Sequence, residues 1–194
     1  VWASDAGLQA EIEVLKERLA KLEAKGITGK VEFEERLAEL TKKFTGFRAV
    51  KETFDTLDFT KTSTTELLEL LLAGALATDA SDVHCEAEEK EGKFRFRIDG
   101  RLHDVATIVP LKNYGSLLSR FKLLAGMKMN VRDEAQDGRF AVRAAKDKEI
   151  EIRVSIVPSE FGETVVMRLL DPKAISLPFA DLGLRDDDLV IVNA

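Results

Sequence analysis

The sequence has only one cysteine, Cys85, among its 194 residues. A single cysteine excludes an internal disulfide, and a chain without disulfides fits a reducing, cytoplasmic setting. Cys85 occupies an apolar position of a predicted strand. We therefore interpret it as a small buried side chain rather than as a reactive thiol.

The chain also lacks a long apolar run and a surplus of basic residues. Its longest apolar run, residues 67–76, is interrupted by Glu69 and Gly74 and is too short to cross a membrane as a helix. The net charge of −6 argues against a nucleic-acid-binding protein, because binding to a phosphate backbone needs a basic surface. We therefore expect no nucleic-acid partner.

The sequence also lacks the phosphate-binding loop motif G-x-x-x-x-G-K-[ST]. That loop supplies backbone donors and a lysine to the phosphates of a bound nucleotide. We therefore expect that the given chain does not hydrolyse ATP by itself, and we assign no catalytic residue within it.

Residues 80–101 show the clearest structural pattern that is present. Apolar and polar residues alternate there with a period of two, which is typical of half-buried strands. The apolar positions of the first strand are Val83, Cys85 and Ala87. Its polar positions are Asp82, His84 and Glu86. Asp99 and Gly100 then form the dipeptide that most strongly predicts a tight β-hairpin.

Further strands and two helices are predicted around this hairpin. One strand is expected at residues 101–109, and the later strands at residues 139–144, 149–157 and 163–170. Helices are expected at residues 64–77 and 111–124. Ser63 with Glu66 forms a capping box at the start of the first helix, and Gly126 stops the second. The expected fold is α+β, an antiparallel sheet with packed helices.

The first part of the chain carries two short heptad patterns, at residues 8–25 and 33–47, which are separated by glycines. They predict an antiparallel, coiled-coil-like helical hairpin over residues 1–47. The two helices either pack simply on each other, which we favour, or form a docking arm for another protein. We interpret residues 48–62 as a linker, 63–172 as the α+β domain, and 173–194 as a connector with the start of a further helix.

Two groups of residues are candidates for a binding site. The first is Asp82, His84 and Glu86, which are metal-ligand types on one side of a strand. Neighbours in this set are nearly 7 Å apart by strand geometry, so we expect hydrogen bonding to adjacent loops and no metal. The second group is Arg139, Arg153 and Arg168. On residues alone, pairing with glutamates is the favoured interpretation and an anion site is the alternative.

Several motifs in a fixed order resemble a known family. They are ASDVHCEAE, FRFRIDGRLHDVA, QDGRFAVR, EIRVSIVPSEFGETVVMRLLD and LPFADLGL. Over residues 64–194 the chain looks like the second N-terminal domain of the secretion ATPase superfamily, the motors of type II secretion and type IV pilus assembly. The usual first motif is S-D-I-H-x-E-P, from which Cys85 and Ala87 depart on the core side.

The resemblance implies a PAS-like domain followed by a RecA-like motor domain in a hexameric parent. ATP and Mg²⁺ would bind the full-length parent, and none is expected on this fragment alone. The resemblance also implies that Arg139, Arg153 and Arg168 reach the ATP phosphates and act as arginine fingers. The region would regulate the motor and couple hydrolysis to force.

The partners that the resemblance implies are the protein's own motor domain and the neighbouring subunits of a homo-hexamer. An inner-membrane platform protein is a further partner, through residues 1–60. The implied location is cytoplasmic and peripheral to the inner membrane.

Two other functions stay open at this point. One is a free-standing PAS-like sensory or ligand-binding module with a helical signalling arm, which should enclose an apolar pocket. The other is a metal-dependent hydrolase that uses Asp82, His84 and Glu86.

Overall fold

The computed structural model describes residues 30–145 and 148–170, which form four helices and six strands. The helices are α1 (Lys30–Lys43), α2 (Phe47–Asp55), α3 (Thr64–Ala77) and α4 (Leu111–Leu124). The strands are β1 (Asp82–Ala87), β2 (Glu91–Ile98), β3 (Arg101–Pro110), β4 (Gln136–Ala145), β5 (Lys148–Ser159) and β6 (Gly162–Leu170). The predicted α+β class is confirmed.

The six strands form one sheet in the order β3-β2-β1-β6-β5-β4, and every neighbouring pair is antiparallel. The sheet thus consists of two three-stranded meanders, with α4 connecting them along the chain and β1 lying beside β6 in the middle. The predicted hairpin between β2 and β3 is confirmed. Asp99 and Gly100 have φ angles of 49° and 77°, and positive φ at both central residues is typical of the turns that suit a hairpin.

The two faces of the sheet differ in polarity. On one face, apolar side chains from the strands and the helices form a single hydrophobic cluster. The strands contribute Val83, Cys85, Phe94, Phe96, Val105, Val109, Val142, Ile150, Ile152, Val154, Ile156, Val165 and Met167 to it. The other face carries mainly polar and charged side chains, and we call it the open face. The predicted burial of Cys85 is confirmed, and burial raises the pKa of its thiol strongly.

Helix α3 is the centre of the helical layer. Its predicted capping box is confirmed in part, since the Ser63 hydroxyl accepts a hydrogen bond from the backbone N–H of Glu66 at 3.1 Å. Gly74 lets the helix pack closely against both α2 and the sheet. A Cβ atom there would lie 2.7 Å from the Val50 side chain and 3.3 Å from Phe96, so any larger residue would push these layers apart.

The structure corrects the interpretation of residues 48–62 as a linker, because α2 covers Phe47–Asp55. Phe47, Val50 and Phe54 are spaced as one face of a helix, and the last two are buried. Phe47 also continues the preceding heptad spacing, so the sequence pattern alone does not mark the start of a new helix there. No described helix is long and apolar enough to span a membrane.

Helix α1, the second helix of the predicted hairpin, packs against α3 and β4. Leu37 of this helix and Phe44 just after it belong to the same hydrophobic cluster as the sheet, and Arg36 pairs with the buried Glu69 at 2.9 Å. The first helix of that hairpin, predicted at residues 8–25, lies outside the described residues. The predicted connector at residues 173–194 does so as well.

Candidate functional site

Three arginines from neighbouring strands lie side by side on the open face. Arg139 of β4 is directly opposite Arg153 of β5, and Arg153 is directly opposite Arg168 of β6. Residues paired in this way project from the same face of a sheet, and all three are exposed. With strands about 4.8 Å apart, they span roughly 10 Å. We call these residues the arginine row.

A β-bulge near the end of β4 brings Arg139 into this row. The register of β4 with β5 shifts between Arg143 and Ala145. Continuing the register of the Ala145–Lys148 pair without a shift would place Arg139 opposite Val154, whose side chain is in the core. Because one step of register reverses the face of every side chain, the bulge is what aligns Arg139 with Arg153.

Two members of the arginine row, Arg139 and Arg153, have little compensating negative charge. Arg153 Nε lies 3.5 Å from Glu151 Oε1, and both side chains are well exposed, so this pair contributes little. Among the residues that the structure describes, Arg139 has no ion-pair partner. Like charges directly opposite each other destabilise a sheet. Arg139 and Arg153 are therefore suited to an anion that the described residues do not supply.

The surface next to the row is concave. Arg139 and Arg153 line a shallow depression of about 410 Å³ together with Asp137, Gly138 and Ser155. The Ser155 hydroxyl donates a hydrogen bond to the Asp137 carboxylate, which ties β5 to β4 at the edge of the depression. Two guanidinium groups beside an open concavity can donate several hydrogen bonds to one phosphate group.

The row ends at Asp82 of β1, which is paired in register with Arg168 on one side and Arg97 on the other. Asp82 Oδ1 accepts from Arg168 Nε at 2.9 Å, and Asp82 Oδ2 lies 3.2 Å from Arg97 Nε. The Ser81 hydroxyl also donates to Oδ2, at 2.9 Å. Burial acts to raise the pKa of Asp82. The hydrogen bonds from Arg168 and Ser81 and the charges of both arginines outweigh it, and the pKa lies below its usual value.

The three candidate metal ligands, Asp82, His84 and Glu86, all lie against arginine side chains. Asp82 binds two arginines, Glu86 pairs with Arg95, and the His84 ring lies 3.5 Å from Arg97 Nη2. Burial, and then the positive charge of Arg97, lower the pKa of His84. Within residues 30–145 and 148–170, no three His, Cys, Asp or Glu residues are arranged to hold a metal ion.

The sequence identified the three arginines as candidates, but the prediction that Asp82 bonds to adjacent loops is wrong, since its charged partners are Arg97 and Arg168 on the neighbouring strands. Alternation did place Asp82 on the outward face. Its partner Arg168, however, is separated from it by 86 positions, and no short turn fixes the register between β1 and β6. The pairing of Arg97 with Asp82 was more accessible to prediction, because β1 and β2 are consecutive strands joined by a short turn, in which the Glu88 N–H donates to the Glu91 carbonyl at 2.8 Å.

A family profile described as "Type II/IV secretion system protein" matches residues 59–194. The type IV pilus assembly ATPase PilB of Myxococcus xanthus is 41% identical over 118 residues, which cover 61% of this chain and 21% of that protein. The type II secretion system protein HxcR of Pseudomonas aeruginosa is 42% identical over 119 residues, which cover 61% of this chain and 25% of that protein.

Two further proteins are similar to this chain. The type II secretion system protein E of Xanthomonas campestris is 39% identical over 123 residues, which cover 63% of this chain and 21% of that protein. The solved structure of the Legionella pneumophila ATPase DotB is 15% identical and has a TM-score of 0.47, with 70% of this chain and 36% of that chain covered. That score is too low to support an argument.

The chain spans about a fifth to a quarter of the length of these curated relatives. The profile match, in contrast, covers well over half of the chain itself and includes all six strands. The resemblance described from the sequence motifs is thereby confirmed at the level of the family. The chain belongs to the type II/IV secretion system protein family.

Proposed function

We propose that this chain is the N-terminal regulatory and force-coupling region of a hexameric secretion or type IV pilus assembly ATPase. In this proposal Arg139, Arg153 and Arg168 contact the phosphates of ATP, which is held by a motor domain of the same protein. The observation that carries the proposal is the arginine row, with three exposed guanidinium groups in register on adjacent strands.

The geometry of the row suits a triphosphate. A guanidinium group offers a planar set of donors that matches phosphate oxygens, and it remains charged at every physiological pH. Three such groups over roughly 10 Å can follow a chain of phosphates rather than a single one. As the bond to the terminal phosphate breaks, negative charge on its oxygens is stabilised by fixed positive groups. The motor domain would hold ATP and Mg²⁺, and this region would supply the arginines.

Family membership favours this proposal over a free-standing sensory module. The curated relatives named above are pilus assembly ATPases and type II secretion proteins, and they are four to five times longer than the matched region. The PAS-like character of the domain belongs to the same proposal. The proposal also includes contacts with the protein's own motor domain and with neighbouring subunits. It further includes a contact with a platform protein through residues 1–60 and a cytoplasmic position at the inner membrane.

The test is ATP hydrolysis by the full-length protein with Arg139→Ala or Arg153→Ala. Each substitution removes a group that stabilises transition-state charge, so we expect turnover to fall by about a hundredfold. Thermal unfolding should show that both variants fold. The matched control is Arg48→Ala, which removes the same charge from an exposed pair with Glu52 on α2 and should leave turnover within about twofold. Normal turnover in both row variants would contradict the proposal.

A further inference from the structure

Asp82 is an unusual residue for the open face of the sheet. It is only 4% exposed, although the Arg168 side chain beside it is 66% exposed. A buried carboxylate without partners would be costly, and it is stabilised here by charged donors on both sides. Its position at the end of the arginine row suggests a role beyond the stability of the sheet.

The contact between Asp82 and Arg168 involves a particular atom of the guanidinium group. Asp82 Oδ1 accepts from Nε, the nitrogen closest to the aliphatic stem, at 2.9 Å. Within the described residues, the two terminal nitrogens of Arg168 have no hydrogen-bond partner. A guanidinium held through Nε still offers its terminal N–H groups to another acceptor. Asp82 thus restrains Arg168 without occupying its outer donors.

Asp82 is itself held from the opposite side. Arg97 Nε lies 3.2 Å from Oδ2, and the Ser81 hydroxyl donates to the same oxygen at 2.9 Å. Arg97 in turn donates through Nη1 to the Gly100 carbonyl at 3.3 Å. The carboxylate therefore has a defined position, and a long arginine side chain attached to it loses rotamer freedom before any ligand binds.

We propose that Asp82 is a positioning residue for the arginine row, which holds Arg168 so that its terminal nitrogens face the same anion as Arg153 and Arg139. This inference rests on the proposed function, because the anion is the triphosphate. It adds a residue whose effect is exerted through Arg168 and not through contact with ATP. Fixing the side chain in advance lowers the entropic cost of each phosphate contact.

The test is a double-mutant cycle in the full-length protein, with Asp82→Asn, Arg168→Ala and both together, measured as kcat/KM for ATP. We expect Arg168→Ala to lower kcat/KM by roughly tenfold or more, and Asp82→Asn to lower it by roughly fivefold. If Asp82 acts through Arg168, the double variant should be no worse than Arg168→Ala alone. Glu86→Gln is the matched control, since Glu86 pairs with Arg95 away from the row; it should leave kcat/KM unchanged.

The outcomes separate this inference from the proposed function. If Arg168→Ala lowers kcat/KM and Asp82→Asn does not, the positioning role is wrong and the function of the row survives. If Asp82→Asn raises kcat/KM, Asp82 competes with phosphate for Arg168, and this result also overturns the inference. If Asp82→Asn lowers kcat/KM by the same factor in the Arg168→Ala variant as in the original protein, Asp82 acts by a route that does not involve Arg168. If neither single variant has an effect, both the assignment of Arg168 to ATP and the inference fail.

A spectroscopic measurement on the present chain checks the contact directly. In ¹⁵N–¹H NMR spectra, the Nε–H proton of Arg168 should exchange with solvent slowly, because it donates to a buried carboxylate. Asp82→Asn should speed this exchange at least about tenfold, whereas Glu86→Gln should not change it. Fast exchange in the unmodified chain, equal to that of Arg139, would contradict the positioning role.

Discussion

The two halves of the open face differ in how closely their basic residues are paired with carboxylates. In the half formed by β1, β2 and β3, which we call the paired half, basic side chains contact carboxylates. Its ion pairs are Arg95 with Glu86, Arg97 with Asp82, and Lys93 with Asp104. In the half formed by β4, β5 and β6, which we call the arginine half, Arg139 and Arg153 are opposite each other, and Arg168 lies between Arg153 and its ion-pair partner Asp82.

This difference separates basic residues paired with a nearby carboxylate across the strands from Arg139 and Arg153, for which the described residues supply no buried carboxylate. Opposite charges on facing strand positions contribute up to about 1 kcal/mol, and like charges there cost a similar amount. Both halves have the same alternation of buried and outward residues, so the fold alone does not require a stack of arginines. A local cost of this kind is typical of functional sites, where stability is given up for binding.

The largest stability difference between the halves should follow from removing one carboxylate in each. Glu86→Ala leaves Arg95 without its partner, and the side chain of Arg95 is only 28% exposed. We expect the free energy of unfolding to fall by about 1–3 kcal/mol, the cost of an unsatisfied, partly buried charged group. Glu151→Ala removes the exposed partner of Arg153 and should cost less than about 0.5 kcal/mol. Urea denaturation measures both.

If the free energy of unfolding falls equally in these two variants, the two halves do not differ in this respect. A larger loss with Glu151→Ala than with Glu86→Ala would reverse the expected difference. The slope of unfolding free energy against urea should stay constant in both variants, which checks that the substitutions change stability and not the extent of folding.

Replacing an arginine by threonine should change the free energy of unfolding by a smaller amount, and the change should have opposite signs in the two halves. Arg153→Thr removes two like-charge contacts and introduces a β-branched residue that suits a strand. It should raise the free energy of unfolding by about 0.5 kcal/mol. Arg97→Thr takes a partner from the buried Asp82 and should lower it by about 1 kcal/mol or more. Thermal unfolding of the present chain measures both changes.

The sign of the Arg153→Thr effect is the informative result. If this variant unfolds more easily than the original chain, Arg153 stabilises the sheet and the row needs no functional explanation. If the stability rises while turnover of the full-length protein falls, the arginine half has the trade-off expected of a binding site.

Much of the fold could be predicted because one face of the sheet is apolar and the other polar. That contrast produces the period-two pattern from which the strands were located, and the Asp99-Gly100 turn and the Ser63 cap are local signals. Helix α2 was missed because the spacing of Phe47 fits two overlapping helical patterns. The buried pair of Lys122 with Glu163, at 2.5 Å, joins distant elements and has no local signal.

The candidate site was predictable only where short turns fix the register. Ser159 pairs with Gly162 across a two-residue turn, and counting from that turn places Arg153 opposite Arg168. The same count from β4 to β5 fails, because the bulge near Ala145 shifts the register by one residue. The contact of Asp82 with Arg168 depends on the pairing of the first strand with the last. That pairing is decided by the packing of the whole sheet.

The most direct test of the account is an experimental structure of the full-length protein with a non-hydrolysable ATP analogue. The account predicts that guanidinium nitrogens of Arg139 and Arg153 lie within about 3 Å of phosphate oxygens, with Arg168 still bound to Asp82. Phosphates more than roughly 8 Å from both arginines in every subunit, beyond the reach of a water-bridged contact, would contradict it.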